Sequence, residues 1–183
     1  HEKFVKNMMS GSSGIDIGIL VIAADDGIMP QTIEHFEILK LLNIKHGFVV
    51  LNKIDIAENE WIELVKNDIK ELISNTFMSN SSILEVSAVK NTGIDEVRNE
   101  IISISKNIPK RKKTGIFRMH IDRAFSKMGF GTVVTGTVFS GAVSVGDSVE
   151  LLPSEKLLKV RNIQTHGNDV NNVIAGERAA INL

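Results

Sequence analysis

Phe48-Val49-Val50-Leu51-Asn52-Lys53-Ile54-Asp55 is an apolar run that ends in an Asn-Lys-x-Asp box, and its reading decides the fold of the first half of the chain. Four consecutive apolar residues suit a strand buried on both faces of a parallel sheet, and the box falls where that strand gives way to a loop. Ligands of open parallel sheets bind outside the carboxyl ends of the strands, so the box stands where a ligand belongs. Its chemistry points to guanine. The Asp55 carboxylate accepts at both oxygens, and the Watson–Crick edge of guanine offers a ring N–H beside an exocyclic NH₂, a donor pair that adenine lacks. The wrong base leaves a desolvated carboxylate unpaired, at a cost of about 1–3 kcal/mol. A second signal, Glu85-Val86-Ser87-Ala88, follows the short apolar run Ile83-Leu84, and a small residue there lets its backbone N–H approach the guanine carbonyl.

Outward from this strand the same alternation repeats. Ile17 to Ala24 is a second apolar run, ending at Asp25-Asp26-Gly27, and reads as a strand buried on both faces followed by a turn. Pro30 suits the first turn of a helix, and Ile33, Phe36, Leu39 and Leu42 recur at helical spacing. Trp61, Leu64, Val65, Ile69, Leu72 and Ile73 form a second stripe, and Ile94, Val97, Ile101 and Ile104 a third, all three read as core. The order strand, helix, strand, helix, strand, helix implies right-handed crossovers and a parallel sheet.

The pattern changes at Pro109-Lys-Arg-Lys-Lys113. This basic run reads as a solvated interdomain linker, with contact to RNA phosphates as the alternative. Beyond it come short β-branched segments at 116–121, 132–139, 148–152, 157–164 and 178–183, punctuated by glycines as the corners of a small barrel require. Gly146-Asp147 fits a hairpin turn. The expected organisation is therefore an α/β unit over 1–108, a linker over 109–113 and an all-β unit over 114–183.

Composition excludes several classes. A net charge of −1 suits an ordinary soluble, intracellular protein and narrows nothing further, whereas the absence of cysteine excludes disulfides and thiolate metal sites. The five histidines lack metal-ligand spacing, so no metal site is expected. The stretch Ile15 to Ala24 is too short to span a bilayer, and the chain is expected to be cytoplasmic with no membrane partner.

Taken together, these residues resemble the translational GTPases, and within them the selenocysteine-specific elongation factors of the SelB type. The segments His1 to Met9 and Val21 to Thr32 resemble stretches shared by several members. The selenocysteine branch is indicated by Arg118-Met-His-Ile-Asp-Arg-Ala-Phe125, by Gly129-Phe-Gly-Thr-Val-Val-Thr-Gly-Thr137, and by Val160 to His166 with Ala175 to Leu183. The resemblance implies the C-terminal part of a P-loop GTPase sheet with flanking helices, followed by a small Greek-key β-barrel, the family's second domain. By motif, Asn52 and Asp55 bind guanine, Lys53 lays its stem along the ring, and Ser87 and Ala88 complete the base pocket of a GTP/GDP site that uses Mg²⁺. His1 matches the residue that orients the attacking water, which suits an imidazole in a largely positional phosphoryl transfer. Asp122, Arg123 and Arg178 fall in the pocket for the aminoacyl end of tRNA. A selenol is more acidic than a thiol, so two arginines there would favour selenocysteine over its neutral seryl precursor. Without the resemblance, these three residues read as ordinary surface pairs of a barrel. The implied partners are selenocysteinyl-tRNA, the ribosome and, through domains outside this sequence, an mRNA hairpin.

The departures carry expectations too. No Gly-x-x-x-x-Gly-Lys-Ser/Thr loop occurs in the 183 residues, so this stretch by itself is expected neither to hydrolyse GTP nor to hold it tightly. The edge of the strand at Ile17 to Ala24 is expected to be bare and to promote self-association. Two alternative readings stand beside this one: another translational GTPase, such as a general elongation factor or an initiation factor γ subunit, or a plain tRNA- or RNA-binding module.

Overall fold

The computed structural model describes residues 14–111, 113–127 and 131–183, which fall into two compact units, Ile15–Ile108 and Pro109–Leu183. In the first, β1 (Ile17–Ala23), α1 (Pro30–Leu41), β2 (His46–Asn52), α2 (Asn59–Ile73), β3 (Ile83–Glu85) and α3 (Ile94–Asn107) alternate along the chain. The strands form a parallel sheet in the order β1-β2-β3, with Ile17 opposite His46, Ala23 opposite Asn52, and Leu51 opposite Glu85. Pro30 opens α1, where its missing N–H is no loss, and the Thr32 hydroxyl accepts the Met29 N–H at 3.2 Å.

Helices cover both faces of this sheet. On one, Phe36 and Leu39 of α1 and Ile62, Val65, Ile69 and Ile73 of α2 pack with Leu20, Ile22, Val49 and Leu51. On the other, Ile94, Val97 and Ile104 of α3 pack against Phe48, Val50 and Val86. β2 is thus buried on both faces, as its apolar run predicts. β1 is not: Leu20 and Ile22 are buried, but Ile19 and Val21 are 38% and 60% exposed. On that face α3 packs with Ile17 of β1 as well as with Phe48, Val50 and Val86. The helical stripes need the same correction. Trp61 and Leu64 are exposed, and α3 buries none of its residues completely. Among the described residues no helix is long and apolar enough to cross a membrane.

The second unit is antiparallel and barrel-like. β4 (Arg118–Lys127), β5 (Gly131–Ser140), β6 (Ala142–Ser144), β7 (Ser148–Leu151), β8 (Lys156–Lys159), β9 (Asn162–Thr165), β10 (Asn168–Val170), β11 (Asn172–Ile174) and β12 (Arg178–Asn182) follow in sequence. They make a five-stranded sheet, β10-β9-β12-β5-β4, and two pairs, β11-β6 and β7-β8. The core is aliphatic, with Val134, Val138, Val143, Val160, Ile163, Val173 and Ile181 buried together. The segment expected as one strand over 157–164 breaks at Val160 and Arg161. There the chain changes partners: the Val160 N–H donates to the Asp147 carbonyl at 2.9 Å, and the Arg161 N–H to the Asn182 carbonyl at 2.8 Å. Gly146-Asp147 does form a turn, closed by Asp147 N–H to Ser144 carbonyl at 3.1 Å, but β6 and β7 belong to different sheets. It is a corner between sheets and not a hairpin.

Candidate functional site

The carboxyl ends of the three parallel strands converge. The Ala24 N–H donates to the Asn52 carbonyl at 2.7 Å and the Val86 N–H to the Leu51 carbonyl at 2.8 Å, so the loops leaving β1, β2 and β3 are tied side by side. The Asn52 side chain then joins two of them, its Oδ1 accepting the Ala88 N–H at 3.2 Å. Ser87 is buried, and its Oγ accepts the Lys90 N–H at 3.1 Å. Paired backbone bonds of 3.0 Å between Ser87 and Thr92 close the loop between them. A hydrogen bond from Ser87 holds the Asp55 carboxyl below its ordinary value, ahead of the opposing effect of desolvation. Asp55 is therefore an ionised acceptor, and a carboxylate has lone pairs to spare beyond one hydroxyl contact.

Asn52, Asp55, Ser87 and Ala88 thus lie together at the carboxyl ends of β2 and β3, with the Ala88 N–H given to Asn52 and the Ser87 N–H to the Thr92 carbonyl. Lys53 differs in its detail. Its backbone adopts φ +63°, and its ammonium reaches Asp25 at 2.8 Å and Asp26 at 3.7 Å. The hydrogen bond to Asp25 raises the Lys53 pKa and lowers that of Asp25. Asp25 escapes sequence reading because Asp25-Asp26-Gly27 looks like a turn and nothing more. Trp61 was also hidden: its indole Nε1–H donates to the Ala24 carbonyl at 2.7 Å, which explains why a half-exposed tryptophan belongs in α2.

In the second unit the β4–β5 register shifts between Ile121 and Arg123, so that Asp122 is an extra residue in a β-bulge. The bulge swings its carboxylate across β5, where Oδ1 accepts the Thr135 hydroxyl at 2.7 Å and Oδ2 meets Arg178 Nη1 of β12 at 2.5 Å. The Asp122 side chain is only 5% exposed, while that of Arg178 is 50% exposed. Burial on its own raises the Asp122 pKa, but the bonds from Arg178 and Thr135, with the charges of Arg178 and Arg123, hold it below the ordinary value. Arg123 is exposed and acts on Asp122 through its charge alone. Arg178 by contact and Arg123 by charge thus set two cations around the one Asp122 carboxylate. Thr135 was missed as a partner because nothing in a β-branched run marks one threonine as a donor. His1 lies outside the described residues.

A parallel sheet with an Asn-Lys-x-Asp loop after its central strand, joined in one chain to an antiparallel barrel-like unit, points to the translational GTPase class. The sequence model of the elongation factor Tu GTP-binding domain matches residues 1–107, and that of elongation factor Tu domain 2 matches residues 131–183; the chain belongs to this family. Over its whole length it is 45% identical to a selenocysteine-specific elongation factor of Desulfomicrobium baculatum, of which it spans 29%. It is similar to the crystal structure of a bacterial selenocysteine-specific elongation factor, with a TM-score of 0.89 at 38% identity, covering 100% of this chain and 31% of that one. The elongation factor SelB of Methanococcus maripaludis, solved with the GTP analogue GPPNHP, gives a TM-score of 0.90 at 37% identity, covering 99% of this chain and 40% of that one. The chain thus spans about a third of the length of these relatives.

Proposed function

We propose that this chain is part of a GTP-dependent elongation factor that carries selenocysteinyl-tRNA to the ribosome. The observation that carries the reading is the Asp122–Thr135–Arg178 arrangement beside Arg123, on a chain whose two units both resemble selenocysteine-specific factors. Guanine is read by Asp55, with Asn52, Ser87 and Ala88 holding the two loops together around it. GTP with Mg²⁺, when bound, supplies the hydrolytic step that times delivery of the tRNA. His1 is assigned to orienting the attacking water, and the working compartment is the cytoplasm.

Selectivity for the aminoacyl group follows from charge. Arg178 spends one N–H on Asp122, and its guanidinium retains further donors for an anion. Arg123 adds a second cation with no hydrogen bond to the described residues. A selenolate gains from both, whereas a seryl hydroxyl offers no charge to meet them. Asp122 is too buried and too well paired to be the anion's competitor; its role is to orient Arg178.

The test is binding of the full-length protein to selenocysteinyl-tRNA and seryl-tRNA with GTP and Mg²⁺, alongside Arg123→Ala and Arg178→Ala. A preference for the selenocysteinyl form that both variants lose supports the proposal. Equal binding of the two tRNAs assigns the protein to general tRNA delivery.

A further inference from the structure

We infer that Asp25 is a positioning residue for the guanine site, holding the Lys53 ammonium so that the lysine stem is ordered before the nucleotide arrives. The inference rests on the guanine reading above and adds to it a residue from the turn after a different strand. Both ends of the Lys53 side chain are tied. Its Cα follows Asn52, whose carbonyl is fixed by the Ala24 N–H at 2.7 Å, and its Nζ lies 2.8 Å from Asp25 and 3.7 Å from Asp26. The stem therefore runs from the loop after β2 to the turn after β1.

Three features make this arrangement more than a surface ion pair. Lys53 holds φ +63°, a left-handed conformation uncommon for a residue with a long side chain, and such outliers persist only where the surroundings enforce them. The turn that carries Asp25 is itself anchored, because the Trp61 indole donates to the carbonyl of the preceding residue, Ala24, at 2.7 Å. Asp26 stands behind Asp25 as a second, more exposed carboxylate, at 60% against 32%, so that the ammonium is drawn to one side. A free lysine stem samples many rotamers, and a flat ring stacking on it has to order it first. The ion pair does that ordering in advance, which is preorganisation in the ordinary sense.

The experiment is calorimetric titration of the full-length protein with GDP, for Asp25→Ala, Asp25→Asn, Asp25→Glu, Lys53→Ala and the Asp25→Ala/Lys53→Ala pair, with Asp55→Asn as the control on the base site. Asp25→Ala and Asp25→Asn are expected to weaken GDP binding roughly three- to fivefold, the scale of a well-formed exposed ion pair. Asp25→Glu is expected to restore most of it. In the Lys53→Ala background, Asp25→Ala should then have no further effect, because Asp25 acts through Lys53. Unchanged or tighter GDP binding by Asp25→Asn, whose shape is preserved, overturns the inference, as do additive effects in the double variant. If Asp55→Asn binds GDP as well as the parent, the guanine reading itself falls, an outcome separate from a failure confined to Asp25.

Discussion

Asp122 and Arg178 meet at 2.5 Å although their strands are not neighbours, since β5 lies between β4 and β12. The contact exists because a bulge re-aims Asp122 across the intervening strand, where Thr135 of β5 takes its other oxygen. One buried carboxylate thereby fixes three strands and orients a half-exposed guanidinium.

The pH dependence of that contact has a definite sign. The Asp122 pKa is lowered in the folded chain, so its contribution is fully present above the ordinary carboxylate value and is lost as pH falls through the lowered one. Asp122→Asn keeps an acceptor for Thr135 but loses the charge. Urea unfolding at neutral pH should show the variant less stable by about 1–2 kcal/mol, and the gap should close in strong acid. A gap that stays constant with pH would mean that the charge of Asp122 contributes nothing.

On the proposed reading, the Asp55 carboxylate sets base choice by accepting two donors. Asparagine replaces one acceptor with an NH₂ donor, which suits xanthine, where a carbonyl stands in place of the exocyclic amine. Asp55→Asn should weaken GDP binding at least tenfold, the scale of a lost charged hydrogen bond of about 1.4 kcal/mol or more, and should improve xanthosine diphosphate relative to GDP. Parallel titrations with the two nucleotides decide the matter.

What was legible in the sequence was what lies close together in it. β2 and its Asn-Lys-x-Asp box were readable because an apolar run and a polar box adjoin, and the motif at Ser87-Ala88 stands next to its own strand. The exposure of Ile19 and Val21 was not readable, since an apolar run does not say what covers it. β6, β10 and β11 are three residues each, too short for an alternation to declare itself. The Asp122–Arg178 contact joins residues 56 apart, and depends on a bulge that no local pattern announces.

Trp61 is kept in α2 by a hydrogen bond more than by burial, for its indole reaches the Ala24 carbonyl while the side chain stays half exposed. Trp61→Phe retains most of the apolar contact and removes the donor. The expected cost is about 1 kcal/mol in urea unfolding, the net worth of one such bond. Because Ala24 precedes Asp25, the variant should also weaken GDP binding slightly, and an unfolding midpoint equal to the parent's would remove the indole from this account.

Gly93 joins the stability of the first unit to its base site. It caps α3 with φ +75°, and a Cβ there would run into the Glu85 carbonyl oxygen and approach Val86 Cγ2 to 3.1 Å. That backbone cannot easily withdraw, because the Val86 N–H is bonded to Leu51 in the neighbouring strand at 2.8 Å. Gly93→Ala therefore incurs both the left-handed conformation and an overlap, together about 2–4 kcal/mol. The displaced loop contains Ser87 and Thr92, so GDP affinity should fall along with stability. Gly167 supplies the comparison: it also has a positive φ, +82°, but a Cβ there meets nothing within 4 Å. Gly167→Ala should cost only the conformational part, about 1–2 kcal/mol, and leave GDP binding unchanged. Equal losses of stability in the two variants would show that the overlap with Glu85 is relieved, and that Gly93 serves the turn alone.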